Sequence, residues 1–172
     1  MGGEEFRRVV EQHGRTVYSI ALRVTRDPGT AEEVAQDVFL ELHRSGDRLE
    51  SADHVRFWLR RVAVHRSTDA LRRRVRQPEA TAEAWIEEQH GMWSEAPSAG
   101  LTSGMAQLLE SAVGSLPEAM RVAVILRYGE EMTPEEISRM LGQPLATVKS
   151  HLQRGLKLLR QKAAVTMKEY VR

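Results

Sequence analysis

The chain has 172 residues, no cysteine, and 25 Lys or Arg against 24 Asp or Glu, a net charge of +1. That excludes a disulfide framework and cysteine-ligated zinc or iron–sulfur sites, and the overall charge advertises no polyanionic partner. No apolar run approaches membrane-spanning length and the start, MGGEEFRRVV, lacks the apolar core of a signal peptide, so a cytoplasmic protein without membrane insertion is expected.

Helix formers dominate and no strand-like alternation is sustained, so the expected class is all-α: two small helical domains joined by a linker. The charge is balanced overall but blocked. Residues 54–77 carry eight Arg against Asp69 alone, and residues 145–172 carry seven Lys or Arg against Glu169 alone. Residues 26–53 and 78–110 are acidic. Two basic blocks far apart in sequence point to two nucleic-acid contacts, with acidic faces left for other partners.

In chain order, residues 4–26 read as an amphipathic helix that turns Phe6, Val9, Val10, His13, Val17, Ile20, Ala21 and Val24 inward. Asp27-Pro28-Gly29 ends it, and Thr30 with Glu33 has the form of a capping box for a second helix. That helix, to about His43, buries Val34, Ala35, Val38, Phe39 and Leu42 and shows an acidic other face of Glu32, Glu33, Asp37 and Glu41. A loop from Ser45 to about Ala52 follows, and Asp53 is the expected cap of a third helix to roughly Arg73.

The third helix interleaves Phe57-Trp58-Leu59, Val62-Ala63-Val64 and Ala70-Leu71 with Arg56, Arg60, Arg61, Arg66, Arg72 and Arg73. Aromatics beside arginines can stack on unpaired bases while the arginines hold phosphates. The same pattern also fits aromatics lying half in a core, with arginines extended along its edge. From Gln77 to about Gly104 the periodicity dissolves among Pro, Gly, Ser and Glu, apart from a short helix expected at Ala80 to His90. This stretch reads as an acidic flexible linker.

The second domain resumes with Met105, Leu108, Leu109, Ala112 and Val113. Ser115-Leu116-Pro117-Glu118 stops one helix and opens the next, with Glu118 in a capping-box position. Ala119 to Tyr128 buries Val122, Ala123, Ile125 and Leu126, and Gly129 ends it. Thr133, Pro134 and Glu136 then form a complete helix start, Gly142 and Pro144 force a turn, and a second helix places Leu145, Val148, Leu152, Leu156 and Leu159 inward. Its outer side carries Thr147, Lys149, Ser150, His151, Gln153, Arg154, Lys157 and Arg160. A short helix, a Gly turn and a basic second helix is the form of a helix-turn-helix, whose second helix enters the DNA major groove. An ordinary helical hairpin with a solvated basic face has the same spacing. Gly155 costs such a helix up to about 1 kcal/mol relative to Ala, to be offset by binding DNA.

The stretch LPEAMRVAVILRYGEEMTPEEISRMLGQPLATVKSHLQRGLKLLR resembles region four of bacterial sigma factors of the sigma-70 family, in the extracytoplasmic-function (ECF) form that keeps only regions two and four. TAEEVAQDVFLELHR, residues 30–44, is similar to region 2.2, and VRFWLRRVAVHRSTDALRRR, residues 55–74, to regions 2.3 and 2.4. Both motifs occur in the family's order and spacing. The resemblance implies region two over residues 1–77, the connector over 78–104 and region four over 105–172.

The same resemblance implies roles. The region 2.2 face, here Glu32, Glu33, Gln36, Asp37 and Phe39, docks on the clamp of the largest subunit of core RNA polymerase. Region four sits on the flap of the second-largest subunit, and its recognition helix meets the minus-35 element through Thr147, Lys149, Ser150, His151, Arg154 and Lys157. Region two reads the minus-10 element and holds its melted strand through Phe57, Trp58, Arg61, His65, Arg66, Arg72 and Arg73. An anti-sigma factor is the implied regulator. The family often has Asn where His65 stands, Arg where His151 stands, Gly where Ala146 stands and Ala where Gly155 stands.

By chemistry alone, Arg154 can give guanine two hydrogen bonds, whereas Lys149, Lys157 and Arg160 suit phosphates. The histidines at 13, 43, 54, 65, 90 and 151 are scattered, with no i, i+4 pair, so no metal site is expected. No nucleotide-binding glycine loop or nucleophile elbow occurs, so neither a cofactor nor an enzymatic reaction is expected. A helix-turn-helix regulator that binds duplex DNA unaided, and an interaction protein that binds no DNA, are the alternative readings.

Overall fold

The computed structural model describes residues 2–45, 51–76 and 103–170. The expected helix at Ala80 to His90 and nearly all of the expected linker and of the loop after Ser45 lie outside the described residues. The described residues form seven α-helices and one π-helical turn, with no strand among them. None of these helices is long and apolar enough to cross a membrane. The chain divides into two compact units, residues 1–95 and 96–172.

The first unit packs three helices against one another: α1 (Gly3–Thr25), α2 (Pro28–Ser45) and α3 (Ala52–Arg76). Its core holds Val17, Ile20, Ala21 and Val24 of α1, Val34, Val38, Phe39 and Leu42 of α2, and Leu59, Ala63 and Val64 of α3. Helix α1 closes in a left-handed Arg26 (φ 61°) whose N–H donates to Leu22 O. Two caps differ from the sequence expectation. Helix α2 starts at Pro28, and the Asp27 carboxylate accepts from both Thr30 N (2.8 Å) and Thr30 Oγ1 (2.5 Å), so Asp27, not Thr30, is the cap. Proline at the first helical position, which needs no N–H, fixes that choice. At α3 the Ser51 hydroxyl accepts from His54 N at 3.2 Å, while Asp53 lies inside the helix and pairs with Arg56 at 2.9 Å.

The second unit contains α4 (Ser103–Gly114), α5 (Glu118–Val124), a π turn (Ile125–Gly129), α6 (Pro134–Leu141) and α7 (Leu145–Tyr170). Ser103 and Gly104, expected as the end of the linker, already belong to α4. The helix expected from Ala119 to Tyr128 is therefore broken into α5 and the π turn. The N-cap position is Pro117, which has no side-chain acceptor, so Glu118 is the first helical residue and not the third that a capping box requires, and Ser115 Oγ donates back to Ala112 O. Arg121, only 9 % exposed, donates from Nη1 to Gly114 O at 3.0 Å, setting a cation on the C-terminal end of α4. Arg127 Nη1 donates to Met132 O at 3.1 Å and so fixes the loop that leads into α6.

Helix α6 begins as the sequence predicts. Thr133 Oγ1 accepts from Glu136 N, and the Glu136 carboxylate accepts from Thr133 N at 2.7 Å. Gly142 ends it at φ 63°, a conformation in which a Cβ is strained. Ser138 Oγ donates to Gln143 O at 2.6 Å, and Pro144 O accepts from Thr147 N at 2.9 Å to start α7. Ile137, Met140, Val148 and Leu152 are buried where the two helices pack.

Gly155 has a packing reason where α5 meets α7. It is buried, and a Cβ placed on it would lie 3.0 Å from Val124 Cγ2 and 3.6 Å from Met120 Cβ. A side chain at this position would press on α5 where it crosses α7.

Candidate nucleic-acid interface

In the second unit, the turn at Gly142 to Pro144 aims the first half of α7 outward. At 100° per residue, Thr147, Ser150, Arg154 and Lys157 share one row opposite the buried Val148, Leu152 and Gly155. Arg154 and Lys157 are exposed, and Thr147 and Ser150 are half-buried beside the turn. Lys149 flanks the row on one side and His151, half-buried, on the other. Gln153 is exposed next to Ser150 and Lys157, and its carboxamide is a natural match for an adenine edge. The site set read from the sequence omits it, because a glutamine carries no charge signal. A row of hydroxyls, an amide and cations on a rigid helix can read base edges near its start and hold phosphates farther along.

In the first unit, a hollow of about 340 Å3 opens between α2 and α3. Its lining is Glu41 from α2 and Trp58, Arg61, Val62, His65, Arg66 and Asp69 from one stripe of α3. Four residues of the expected minus-10 set therefore meet there: Trp58, Arg61, His65 and Arg66. Phe57, Arg72 and Arg73 do not line it; Phe57 is half-buried and the two arginines are exposed farther along α3. Arg66 Nη2 donates to the Glu41 carboxylate at 2.6 Å, an ion pair that ties α3 to α2. Ser67, beside it, is fully buried, and its hydroxyl has no hydrogen-bond partner among the described residues.

The outer face of α2 presents Glu33, Gln36 and Asp37 to solvent, with Glu32 half-buried. Phe39, expected on the docking face, is 5 % exposed and belongs to the core, so it can shape that face only from beneath. Its neighbour Leu40 is 54 % exposed and sits one turn beyond Gln36 and Asp37.

On the far side of the first unit, His13 of α1 is half-buried facing Arg56 and Arg60 of α3. Burial first, and then the two guanidinium charges, hold its imidazole below the usual histidine range. At the α1–α2 corner, the hydrogen bond from the Thr30 hydroxyl holds the Asp27 carboxyl below the usual carboxylate range, against an opposing effect of burial. Among the described residues no group of three or more His, Asp or Glu side chains is arranged to hold a metal.

Residues 9–77 match Sigma-70 region 2 and residues 106–159 match Sigma-70, region 4. The ECF RNA polymerase sigma factor SigK of Mycobacterium sp. (strain KMS) is 31 % identical over 164 residues, covering 91 % of this chain and 82 % of SigK. The ECF RNA polymerase sigma factor SigW of Bacillus subtilis (strain 168) is 24 % identical over 167 residues, covering 92 % of this chain and 88 % of SigW. Among solved structures, the sigma factor RpoE of Bartonella quintana, crystallised with the anti-sigma factor NepR, superposes with a TM-score of 0.74 at 18 % identity, covering 94 % of this chain and 98 % of RpoE.

Proposed function

The chain belongs to the sigma-70 family of RNA polymerase sigma factors, in its extracytoplasmic-function form, and from that premise we propose how its residues divide the work. A sigma factor binds core RNA polymerase and directs it to promoters. We assign region two to residues 1–77, the connector to 78–104 and region four to 105–172.

In this reading α7 enters the major groove of the minus-35 element. Thr147, Ser150, Gln153 and Arg154 face base edges, His151 lies at the margin, and Lys149 and Lys157 hold phosphates. The observation that carries the assignment is the outward row Thr147, Ser150, Arg154, Lys157 on a helix fixed by the Gly142 turn. Region two holds the minus-10 strand, with Trp58, Arg61, His65 and Arg66 at the hollow, Phe57 beside them, and Arg72 and Arg73 on the phosphate backbone. The α2 face of Glu32, Glu33, Gln36 and Asp37, with Phe39 beneath and Leu40 at its C-terminal end, docks on the clamp of the largest polymerase subunit, and region four sits on the flap of the second-largest subunit.

The protein acts in the cytoplasm, and the chemistry is the polymerase's own. Control by an anti-sigma factor follows the pattern of RpoE with NepR. The test is transcription in vitro from the genomic DNA of the encoding organism, with core polymerase alone and with the chain added. The chain should create new starts that share one upstream and one downstream element. No new starts, or DNA binding that alters transcription only when another sigma factor is present, would favour a stand-alone regulator.

A further inference from the structure

Helix α4 opens the second unit, yet little apolar surface holds it there. Among the described residues none of its side chains is buried. Ala106, Ala112 and Val113 are half-buried, and Met105, Leu108 and Leu109 are 53, 38 and 51 % exposed. A helix with so few buried contacts shifts easily unless something else pins it. Its own last turn has no basic residue to meet the negative end of the helix dipole.

The pin is polar and sits at that C-terminal end. A helix leaves its last four carbonyls without partners of its own, and here all four find donors. Ser115 N donates to Ser111 O at 3.1 Å and to Ala112 O at 3.2 Å, and Leu116 N donates to Val113 O at 3.1 Å. Gly114 O, which these local bonds leave over, accepts from Arg121 Nη1 of α5 at 3.0 Å. Ser115 Oγ donates to Ala112 O at 2.6 Å and itself accepts from Lys162 Nζ of α7. Two cations from two other helices therefore stand at the end of α4. Lys162 lies beyond residue 159, where the match to region four stops, on the stretch of α7 that continues to Tyr170.

We propose that Arg121 and Lys162 are positioning residues: they lock α4 to the recognition helix α7 and thereby set the spacing between the two promoter elements that the chain accepts. This rests on the reading of the chain as a sigma factor with α7 in the minus-35 element. The connector enters region four through α4, so the angle between α4 and α7 decides where α7 meets DNA while region two holds the downstream element. The geometry amplifies small shifts. Twelve residues of helix separate Lys162 from Ser150, about 18 Å. A tilt of about 10° at the clamp moves the outer row of α7 by about 3 Å, close to the rise of one base pair.

The test is transcription in vitro by core polymerase carrying the full chain, on one promoter whose spacer is lengthened or shortened by a single base pair. The readout is the ratio of transcription at the best spacer to that one base pair away. Lys162→Met keeps the aliphatic stem and removes the donor. It should lower the ratio by about two- to tenfold, the range spanned by one net hydrogen bond. Lys162→Arg should restore it. Arg121→Gln should lower it as well, with helical circular dichroism recorded to show that this buried substitution still folds. Binding of a duplex minus-35 element by the free chain should stay within about twofold of wild type in Lys162→Met, because Lys162 lies outside the outer row.

A merely structural loss lowers transcription equally at every spacer and leaves the ratio alone. That result, or an unchanged ratio in Lys162→Met, overturns the proposal, as does a ratio that Lys162→Arg fails to restore. Absence of promoter-dependent starts with the wild-type chain at any spacer overturns the sigma-factor reading itself; wild-type starts with no spacer preference leave that reading standing and overturn only the positioning role.

Discussion

Gly155 of α7 lies so close to α5 that a methyl group added to it would stand 3.0 Å from Val124 Cγ2. Two effects of similar size then oppose each other in Gly155→Ala. The helix gains about 1 kcal/mol of propensity, and the tight contact takes much of it back. The net change in stability should be under about 1 kcal/mol. Gly155→Leu has no such balance and should destabilise by roughly 1–3 kcal/mol through overpacking. Urea unfolding followed by circular dichroism measures both. A full propensity gain in Gly155→Ala, with Gly155→Leu tolerated, would mean that α5 does not press on α7.

The Asp27 cap makes a separate prediction. Asp27→Ala removes the acceptor for Thr30 N and Thr30 Oγ1 together and should cost about 1–2 kcal/mol. Thr30→Ala leaves the carboxylate on the backbone N–H and should cost less. The reverse order would make Thr30 the cap. The sign of the pH effect follows from the lowered carboxyl. Its contribution is present above the ordinary value of 3.8 and is lost as pH falls through the folded value. Asp27→Asn should remove that part of the acid sensitivity.

His13 acts in a higher pH window. Its folded value is lowered from 6.5 by burial and by Arg56 and Arg60. Below about 6.5 the unfolded chain takes up a proton that the folded chain refuses, so stability falls with pH until the folded value is passed. Above that window the group contributes no pH dependence. Urea midpoints at mildly basic and mildly acidic pH should therefore converge in His13→Gln. An equal drop in wild type and variant would show that His13 is not the group responsible.

What the sequence made legible, and what it did not, divides along the range of the interactions. The α6 start and stop are local and unrivalled: Thr133, Pro134, Glu136 and Gly142 each have one reading, and the structure agrees with all four. At α2 and α3 two capping residues compete within three positions, Asp27 with Thr30 and Ser51 with Asp53. The tie is broken by Pro28 in one case and by the hydroxyl of Ser51 in the other. The helical periodicity of α1 and α2 located most of their buried faces, whereas α3, where apolar residues and arginines interleave, gives no inward set from spacing alone.

Tertiary features were not legible. The closeness of Gly155 to Val124 depends on how α5 crosses α7, and the π turn after α5 leaves the apolar spacing almost unchanged. Arg66 reads as a free cation in a basic block until α2 brings Glu41 to it. The spacing of α2 puts Phe39 inward, but nothing in the sequence marks Leu40 beside it as an exposed apolar residue of the docking face.

The account stands most directly on the outer row of α7. Transcript starts should be sequenced for polymerase carrying the wild-type chain and for polymerase carrying Arg154→Ala. The account predicts a loss of about 1–3 kcal/mol at matched promoters and a relaxed base preference at one position of the upstream element, with the downstream element unchanged. An equal loss at every promoter, with the upstream element unaltered, would contradict it and make Arg154 a phosphate contact.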